Sequence, residues 1–280
     1  IDLLGIGNAI TDILVKVDYN FLEKMKLNIG AMQLTDYETI NKTINLFKDT
    51  KVSAGGSVAN TISMVANLGN RCAFIGRRKN DTQGKLFSES MSSSNILLPN
   101  SEVEFGKASS TCLVMITPNG ERTMLTYLGS STNLTEEDVD LALIENSKIV
   151  YLEGYLFDLP EAKKLFFTLA DKQEELGFEF ALSLSDPFCV TRHKEDFLKL
   201  LDKKVKIVFS NQEEIETLFS CTVEKALINS SDKILINIST LGVKGAMVYS
   251  NGNLIKKNSF SVEVKDTTGA GDSFAAGFFH

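Results

Sequence analysis

Short apolar runs alternate with amphipathic stretches along most of the chain. Runs at 2–7, 71–76, 148–153, 178–184, 206–209 and 233–239 are long enough for strands. Between them, apolar residues recur at helical spacing near 57–68, 81–91, 135–144, 160–176, 193–201 and 211–219. Several ends are marked. Thr35 and Glu38 have capping-box spacing, and Thr135 precedes a Glu-Glu-Asp first turn. Pro160 suits a first helical position and Gly177 the residue just past that helix. Strand–helix alternation of this kind predicts an α/β fold, doubly wound, with a mostly parallel sheet and helices on both faces.

Two segments break the alternation. Residues 111–128 read as a hairpin turning at Pro118-Asn119-Gly120-Glu121, and a second hairpin joins 246–250 to 254–257 through Asn251-Gly252. Residues 13–18 and 31–34 add short β candidates, so a small sheet projecting from the main body is expected. We take 1–280 as a single α/β domain with a β lid formed by about 13–34 and 105–128.

The chain has 280 residues, 43% hydrophobic content and a net charge of -7, with Lys and Arg scattered rather than clustered. That balance argues against nucleic acid and anionic membrane surfaces as partners. No apolar run approaches a membrane span, and a cytoplasmic location is expected. Cys72, Cys112, Cys189 and Cys221 are far apart with no metal spacing, and read as small apolar residues. With His193 and His280 the only histidines, acid–base work falls to Asp or Glu.

Common nucleotide motifs fail. No Gly-x-x-x-x-Gly-Lys-Ser/Thr loop occurs, and Gly5-Ile6-Gly7 lacks the third glycine of a dinucleotide fingerprint. Asp266-Thr267-Thr268-Gly269-Ala270-Gly271-Asp272 is more informative. Its small residues uncover backbone N–H groups where a helix begins, a place that suits an anion. Asp272 would repel that anion unless it has a task, such as accepting a proton from an attacking hydroxyl.

Other polar sites follow strands. Asn8 and Asp12 in Gly7-Asn8-Ala9-Ile10-Thr11-Asp12 can grip a polyol, or Asp12 can be a solvated turn residue. Gly55 and Gly56, with Asn60 in the next helix, can admit a ligand or simply shape a corner. Asn211 and Glu214 share a helix face and suit a water-shelled Mg²⁺, or form an N-capped helix start. Thr240 and Gly242 form a turn able to meet nucleotide phosphates or ribose. Arg122 opens a lid strand, where it can swing over an anion or sit in solvent. The stretch from Asp186 to His193 is unusual in composition and receives no role.

In this order the motifs resemble the ribokinase (PfkB-type) family of sugar and nucleoside kinases across essentially the whole chain. The start and the Gly120-Glu121-Arg122-Thr123-Met124 hairpin are most similar to its adenosine kinase branch. The resemblance implies ATP and Mg²⁺ as cofactors and a ribokinase-like fold. Asp272 would be the catalytic base, with Gly269, Ala270 and Gly271 as an anion hole. Asn8, Asp12, Gly55, Gly56, Asn60 and Arg122 would meet the substrate, a small nucleoside or sugar. Asn211, Thr240, Gly242, Thr267, Gly269 and Gly271 would meet the nucleotide. Asn211 and Glu214 would position Mg²⁺ through water, and Asp266 with Thr268 would match a K⁺ site. The resemblance also implies a C-terminal segment beyond His280, and an assembly that is a monomer or a homodimer. The expected reaction is transfer of the γ-phosphoryl group to a primary hydroxyl of an adenosine-like nucleoside. A free-sugar kinase (ribose, fructose) and a non-catalytic sensor are the alternatives.

Overall fold

The computed structural model describes residues 1–263 and 267–280. In chain order the strands are β1 (Leu3–Ile6), β2 (Ile10–Lys16), β3 (Met32–Leu34), β4 (Lys51–Gly55), β5 (Cys72–Ile75), β6 (Ser110–Ile116), β7 (Arg122–Tyr127), β8 (Ile149–Glu153), β9 (Glu179–Ser183), β10 (Ile207–Asn211), β11 (Ile236–Thr240), β12 (Ala246–Ser250) and β13 (Asn253–Lys257). The helices are α1 (Tyr19–Lys24), α2 (Tyr37–Ile44), α3 (Ser57–Asn67), α4 (Thr82–Ser93), α5 (Leu141–Glu145), α6 (Pro160–Leu176), α7 (Pro187–Leu201), α8 (Gln212–Phe219), α9 (Val223–Asn229) and α10 (Ala270–Phe279).

Eight strands form the main sheet in the order β13-β12-β11-β10-β9-β8-β1-β5. It is parallel from β5 to β11, and the Asn251-Gly252 hairpin adds β12 and β13 antiparallel at one edge. Alternation in β1 shows why both faces must be covered. Leu4 and Ile6 join a core built with α6, α7, α8 and α9, whereas Leu3 joins a core with α3, α4 and α10. β1 is followed in the sheet by β5 on one side and β8 on the other, so the crossovers change face between β1 and β8. A crevice opens at such a switch point, outside the carboxyl ends of the strands.

Five strands form a second sheet, β3-β7-β6-β2-β4. Ile13, Val15, Leu113, Met115 and Leu125 pack beneath α1 and α2 with Leu22 and Ile40. Its other face carries Ile10, Asp12, Met32, Leu34 and Met124 toward the crevice. The sheet is wider than the sequence reading of 13–34 and 105–128. β2 starts at Ile10, and Lys51–Gly55 pairs antiparallel with it. Lys51, Val52 and Ser53 are exposed, and the brief alternation of Val52 and Ala54 is too short to announce the strand.

Helix 160–176 has the predicted bounds, with Pro160 in its first turn and Gly177 left-handed at its end (φ 73°). Three other expectations are corrected. The Thr35/Glu38 box does not form: Asp36 caps α2, its carboxylate accepting the Thr39 N–H at 2.8 Å, while the Thr35 N–H pairs with Thr126. The stretch 135–144 is a 3-10 turn over Glu136–Asp138 and then α5, parted by extended Val139. There Asp138 is held by Arg77, with both carboxylate oxygens 2.9 Å from one guanidinium nitrogen. The helix expected at 193–201 starts at Pro187, capped by Asp186, and departs from helical dihedrals at His193.

Phe157 anchors the α6–α7 side. It stacks on Phe197 with centroids 4.2 Å apart and meets the edge of Phe166 at 5.2 Å, all three fully buried. Phe157→Ala leaves a cavity there and should cost about 3–5 kcal/mol of unfolding free energy, read by denaturant titration.

Candidate active site

Asn8 leaves the end of β1 and Glu153 ends β8, so both stand at the switch point. Glu153 is fully buried. One of its oxygens accepts the Asn8 backbone N–H at 2.9 Å and the Asn8 side-chain amide. The other accepts the Val58 N–H at 3.1 Å, in the first turn of α3, where helix N–H groups lack internal partners. Burial pushes the Glu153 carboxyl up to about 7, and the nearby Asp272 charge adds to that rise. Sequence reasoning passed over this residue. The available signal was an acid closing the apolar run Ile149-Val150-Tyr151-Leu152 at the carboxyl end of a parallel strand.

The glycine pair has a packing reason. At Gly56, where φ is +102°, a Cβ would lie 2.3 Å from the Asn8 carbonyl oxygen. At Gly55 it would lie 2.3 Å from the Asp12 carboxyl carbon. The corner between β4 and α3 therefore closes directly over Asn8 and Asp12. Asp12 is not a solvated turn residue: it sits within β2 and lines the crevice. Burial pushes its carboxyl up to about 7, with the Arg122 charge acting in the opposite direction. Arg122 lies at the start of β7, on the same alternation as Met124 and Thr126, but outside the crevice wall.

Asp272 is the third residue of α10. Ser57 Oγ donates to its Oδ1 at 2.8 Å and Asn60 Nδ2 to its Oδ2 at 3.0 Å. Thr61 Oγ1 donates to its backbone carbonyl at 3.3 Å. Burial raises its carboxyl above the usual aspartate value, and the two side-chain bonds oppose the rise. Gly269 is left-handed at the helix N-cap (φ 68°), and the first turn closes through Ser273 N–H to the Gly269 carbonyl at 2.8 Å. The Ala270 N–H is already engaged by the Thr267 carbonyl at 3.1 Å. Gly271 and Asp272 hold the next two positions, whose N–H groups have no acceptor inside the helix. A Gly269-Ala270-Gly271 anion hole therefore requires the Ala270 N–H to change partner. Thr267 and Thr268 line the crevice, whereas Asp266 lies outside the described residues.

Beyond β9 the wall turns to Asn211, Glu214 and Thr240. Asn211 and Glu214 form a reciprocal capping box on α8. The Glu214 N–H donates to Asn211 Oδ1 at 2.8 Å, and the Asn211 N–H to Glu214 Oε2 at 2.9 Å. The Asn211 amide also donates to Glu214 Oε1 at 2.6 Å. Burial pushes Glu214 up to about 7, with like charge from Asp186 and Glu213 adding to it. A buried acid pressed by other acids is a setting a divalent cation relieves. Among the described residues no cluster of three or more His, Cys, Asp or Glu is arranged to hold a metal. Gly242 is left-handed (φ 57°) in a turn off the wall, while Thr240 Oγ1 reaches the Ser210 carbonyl at 3.4 Å.

Asn8, Asp12, Asn60, Glu153, Glu214 and Asp272 border one cavity of about 760 Å³, running from the second sheet across the ends of β1, β8, β9, β10 and β11. One end therefore offers carboxylates and amides beside an apolar sheet face. The middle offers a half-buried acid at a helix start, and the far end a capped acid beneath Thr240. Among the described residues no helix is long and apolar enough to cross a membrane.

Known proteins are similar in sequence and in fold. The profile of the pfkB family carbohydrate kinases matches residues 26–280. Adenosine kinase 2 of Arabidopsis thaliana is 27% identical over 99% of this chain and 86% of its own length. The probable chloroplastic fructokinase-6 of the same plant is 26% identical over 81% of this chain, and the match spans 62% of that relative. Among solved structures, the adenosine kinase of Sinorhizobium meliloti is 34% identical with a TM-score of 0.88, covering 99% of this chain and 86% of that one. A probable sugar kinase of Rhizobium etli CFN 42 also has 34% identity and a TM-score of 0.88, over 99% of this chain and 85% of that one. With the family profile matching most of its length, and the same fold at this identity, the chain belongs to the pfkB family of carbohydrate kinases.

Proposed function

We propose that this chain is an ATP- and Mg²⁺-dependent kinase that transfers the γ-phosphoryl group to a primary hydroxyl of a ribose-like ring, with an adenosine-like nucleoside as acceptor. The observation that carries the proposal is Asp272: a half-buried acid at a helix N-terminus, held by Ser57 and Asn60, in the same cavity as Asn8 and Asp12. Asp272 takes the proton from the acceptor hydroxyl as its oxygen attacks phosphorus. The proton ends on the carboxylate, and the bond to the ADP leaving oxygen breaks. The start of α10 supplies N–H donors and a positive dipole end to the charge that accumulates on the transferring group.

Asn8, Asp12 and Asn60 orient the sugar hydroxyls, with Gly55 and Gly56 leaving room for that approach. Thr240 and the Thr267–Gly271 turn lie where the nucleotide would lie. Glu214, with Asn211, would hold Mg²⁺ through water, and the ion would neutralise charge between the phosphates. Asp266 and Thr268 would hold the monovalent cation that the family resemblance implies. The second sheet acts as a lid whose closure excludes water as a competing acceptor.

The choice of a nucleoside rests on that lid's inner face, where Ile10, Met32, Leu34 and Met124 offer an apolar slot for a base. The adenosine kinase relative spanning 99% of this chain points the same way. Fructokinase relatives support the second reading, a free sugar, which would leave the slot without a partner. A non-catalytic sensor would have no need of a base held by two donors.

ADP release from Mg-ATP across adenosine, other nucleosides, ribose and fructose tests the reading. Turnover on adenosine is expected; turnover on fructose alone would keep the chemistry and overturn the acceptor. Asp272→Asn should fold and bind both substrates yet lose roughly 10²–10⁴ in kcat. Activity within threefold of the parent would remove Asp272 from the base role. Because burial lifts the Asp272 pKa above the ordinary 3.8, the ionised base is lost as pH falls through that raised value. The acid limb of kcat/KM, which reports the free enzyme, should therefore lie above the ordinary aspartate range and be absent from the residual rate of the Asn variant. Asp12→Ala should weaken acceptor binding at least about tenfold while changing ATP binding less than twofold, read by titration calorimetry.

A further inference from the structure

The charges around the cavity are lopsided. Among the described residues that line it, Asp12, Glu153, Asp158, Asp186, Glu214 and Asp272 are acids, and Arg192 is the one Lys, Arg or His. A site proposed to take a polyphosphate holds six carboxylates and a single fixed cation. Mg²⁺ and a helix start worth roughly half a charge offset part of that repulsion.

Arg192 is placed between the two ends of the site. It follows β9, which lies between β8 at the acceptor end and β10 at the Thr240 end. Asp186 caps α7, and Phe188 and Arg192, one helical turn apart, both reach the cavity wall. Arg192 thus borders the same cavity as Asp272 and Thr240.

The guanidinium is already in the fork geometry that grips an oxyanion. Its Nε and one terminal nitrogen donate to the two oxygens of Asp158 at 3.1 and 2.7 Å. Both side chains are about half exposed, at 50% and 44%, so the pair is wet and weakly held. Asp158 does not depend on Arg192. His193 Nε2 lies 2.6 Å from its Oδ1. Behind it Lys163 Nζ lies 3.3 Å from His193 Nδ1 and 2.6 Å from Asp196. An ammonium can only donate, which assigns Nδ1 as acceptor and Nε2 as the N–H given to Asp158. When Arg192 leaves, Asp158 keeps a partner.

We propose that Arg192 is a phosphate-binding residue held in waiting: it exchanges Asp158 for the terminal phosphate of ATP, and His193 retains Asp158. The guanidinium fork fits phosphate as it fits carboxylate, and the charge-assisted pair strengthens as closure removes water. The proposal rests on the kinase reading, and its test separates the two.

Calorimetry with Mg²⁺ and the β,γ-imido analogue of ATP, beside Mg-ADP, is the measurement. Arg192→Met should weaken the analogue at least about tenfold and ADP, which lacks the terminal phosphate, less than threefold. D158N should act the other way, tightening the analogue severalfold, because it removes the competitor for the guanidinium. That gain should vanish in the double variant. Equal weakening of both nucleotides by Arg192→Met, no weakening, or a D158N gain that persists without Arg192 would overturn the proposal and leave the kinase reading intact. A parent protein that binds neither nucleotide would overturn both. Should Arg192→Met fail to fold, Arg192→Lys keeps the charge without the fork. It should lose part of the analogue's affinity and again spare ADP.

Discussion

The site depends on the buried carboxylate of Glu153. Its oxygens hold two chain segments, the turn after β1 through Asn8 and the start of α3 through Val58. α3 then presents Ser57 and Asn60 to Asp272. One acid at the end of a central strand thereby fixes the acceptor side of the cleft and, through a helix, the orientation of the group assigned as base. Removing one partner of such a buried network leaves donors without acceptors in a dry place, a cost near 1–3 kcal/mol per group. The glycine pair serves the same assembly, since a side chain at Gly55 or Gly56 would push against Asp12 or Asn8.

Burial pushes Asp12, Glu153 and Glu214 up to about 7, and raises Asp272 as well. Each is a group whose ionised form burial disfavours. The proposed Mg²⁺ and acceptor hydroxyls would relieve it. The chain's acidic balance and its acidic cleft are therefore consistent with a site completed by what it binds.

Much of this was legible in the sequence wherever the signal was local. Pro160 and Gly177 bounded their helix because a fixed φ and a left-handed φ are properties of those residues alone. The Asn-Gly turns placed both hairpins for the same reason. Order along the chain marked Asn8, Asp12, Asn60 and Asp272, which the fold brings to one cavity. What was hidden depended on distant partners. Glu153 reads as an ordinary strand end until Asn8 and Val58 are placed beside it. β4 reads as a polar loop until β2 supplies its ladder. Thr35 lost the helix cap to Asp36 because its own backbone had been recruited by Thr126. Asn211 and Glu214 carried two readings at once, and the cap that forms is compatible with the acid also facing a cation.

The sequence distances within the site have a consequence for synthesis. Ser57 and Asp272 are 215 residues apart, Asn60 and Asp272 are 212 apart, and Asn8 and Glu153 are 145 apart. Contacts this remote close late, since loop entropy must be overcome before they repay it. A chain emerging from the ribosome can complete β1, the second sheet and α3 while the residue that Ser57 and Asn60 hold has not yet been made. On the proposed assignment of Asp272, the catalytic base is made last, after every residue proposed to bind the acceptor.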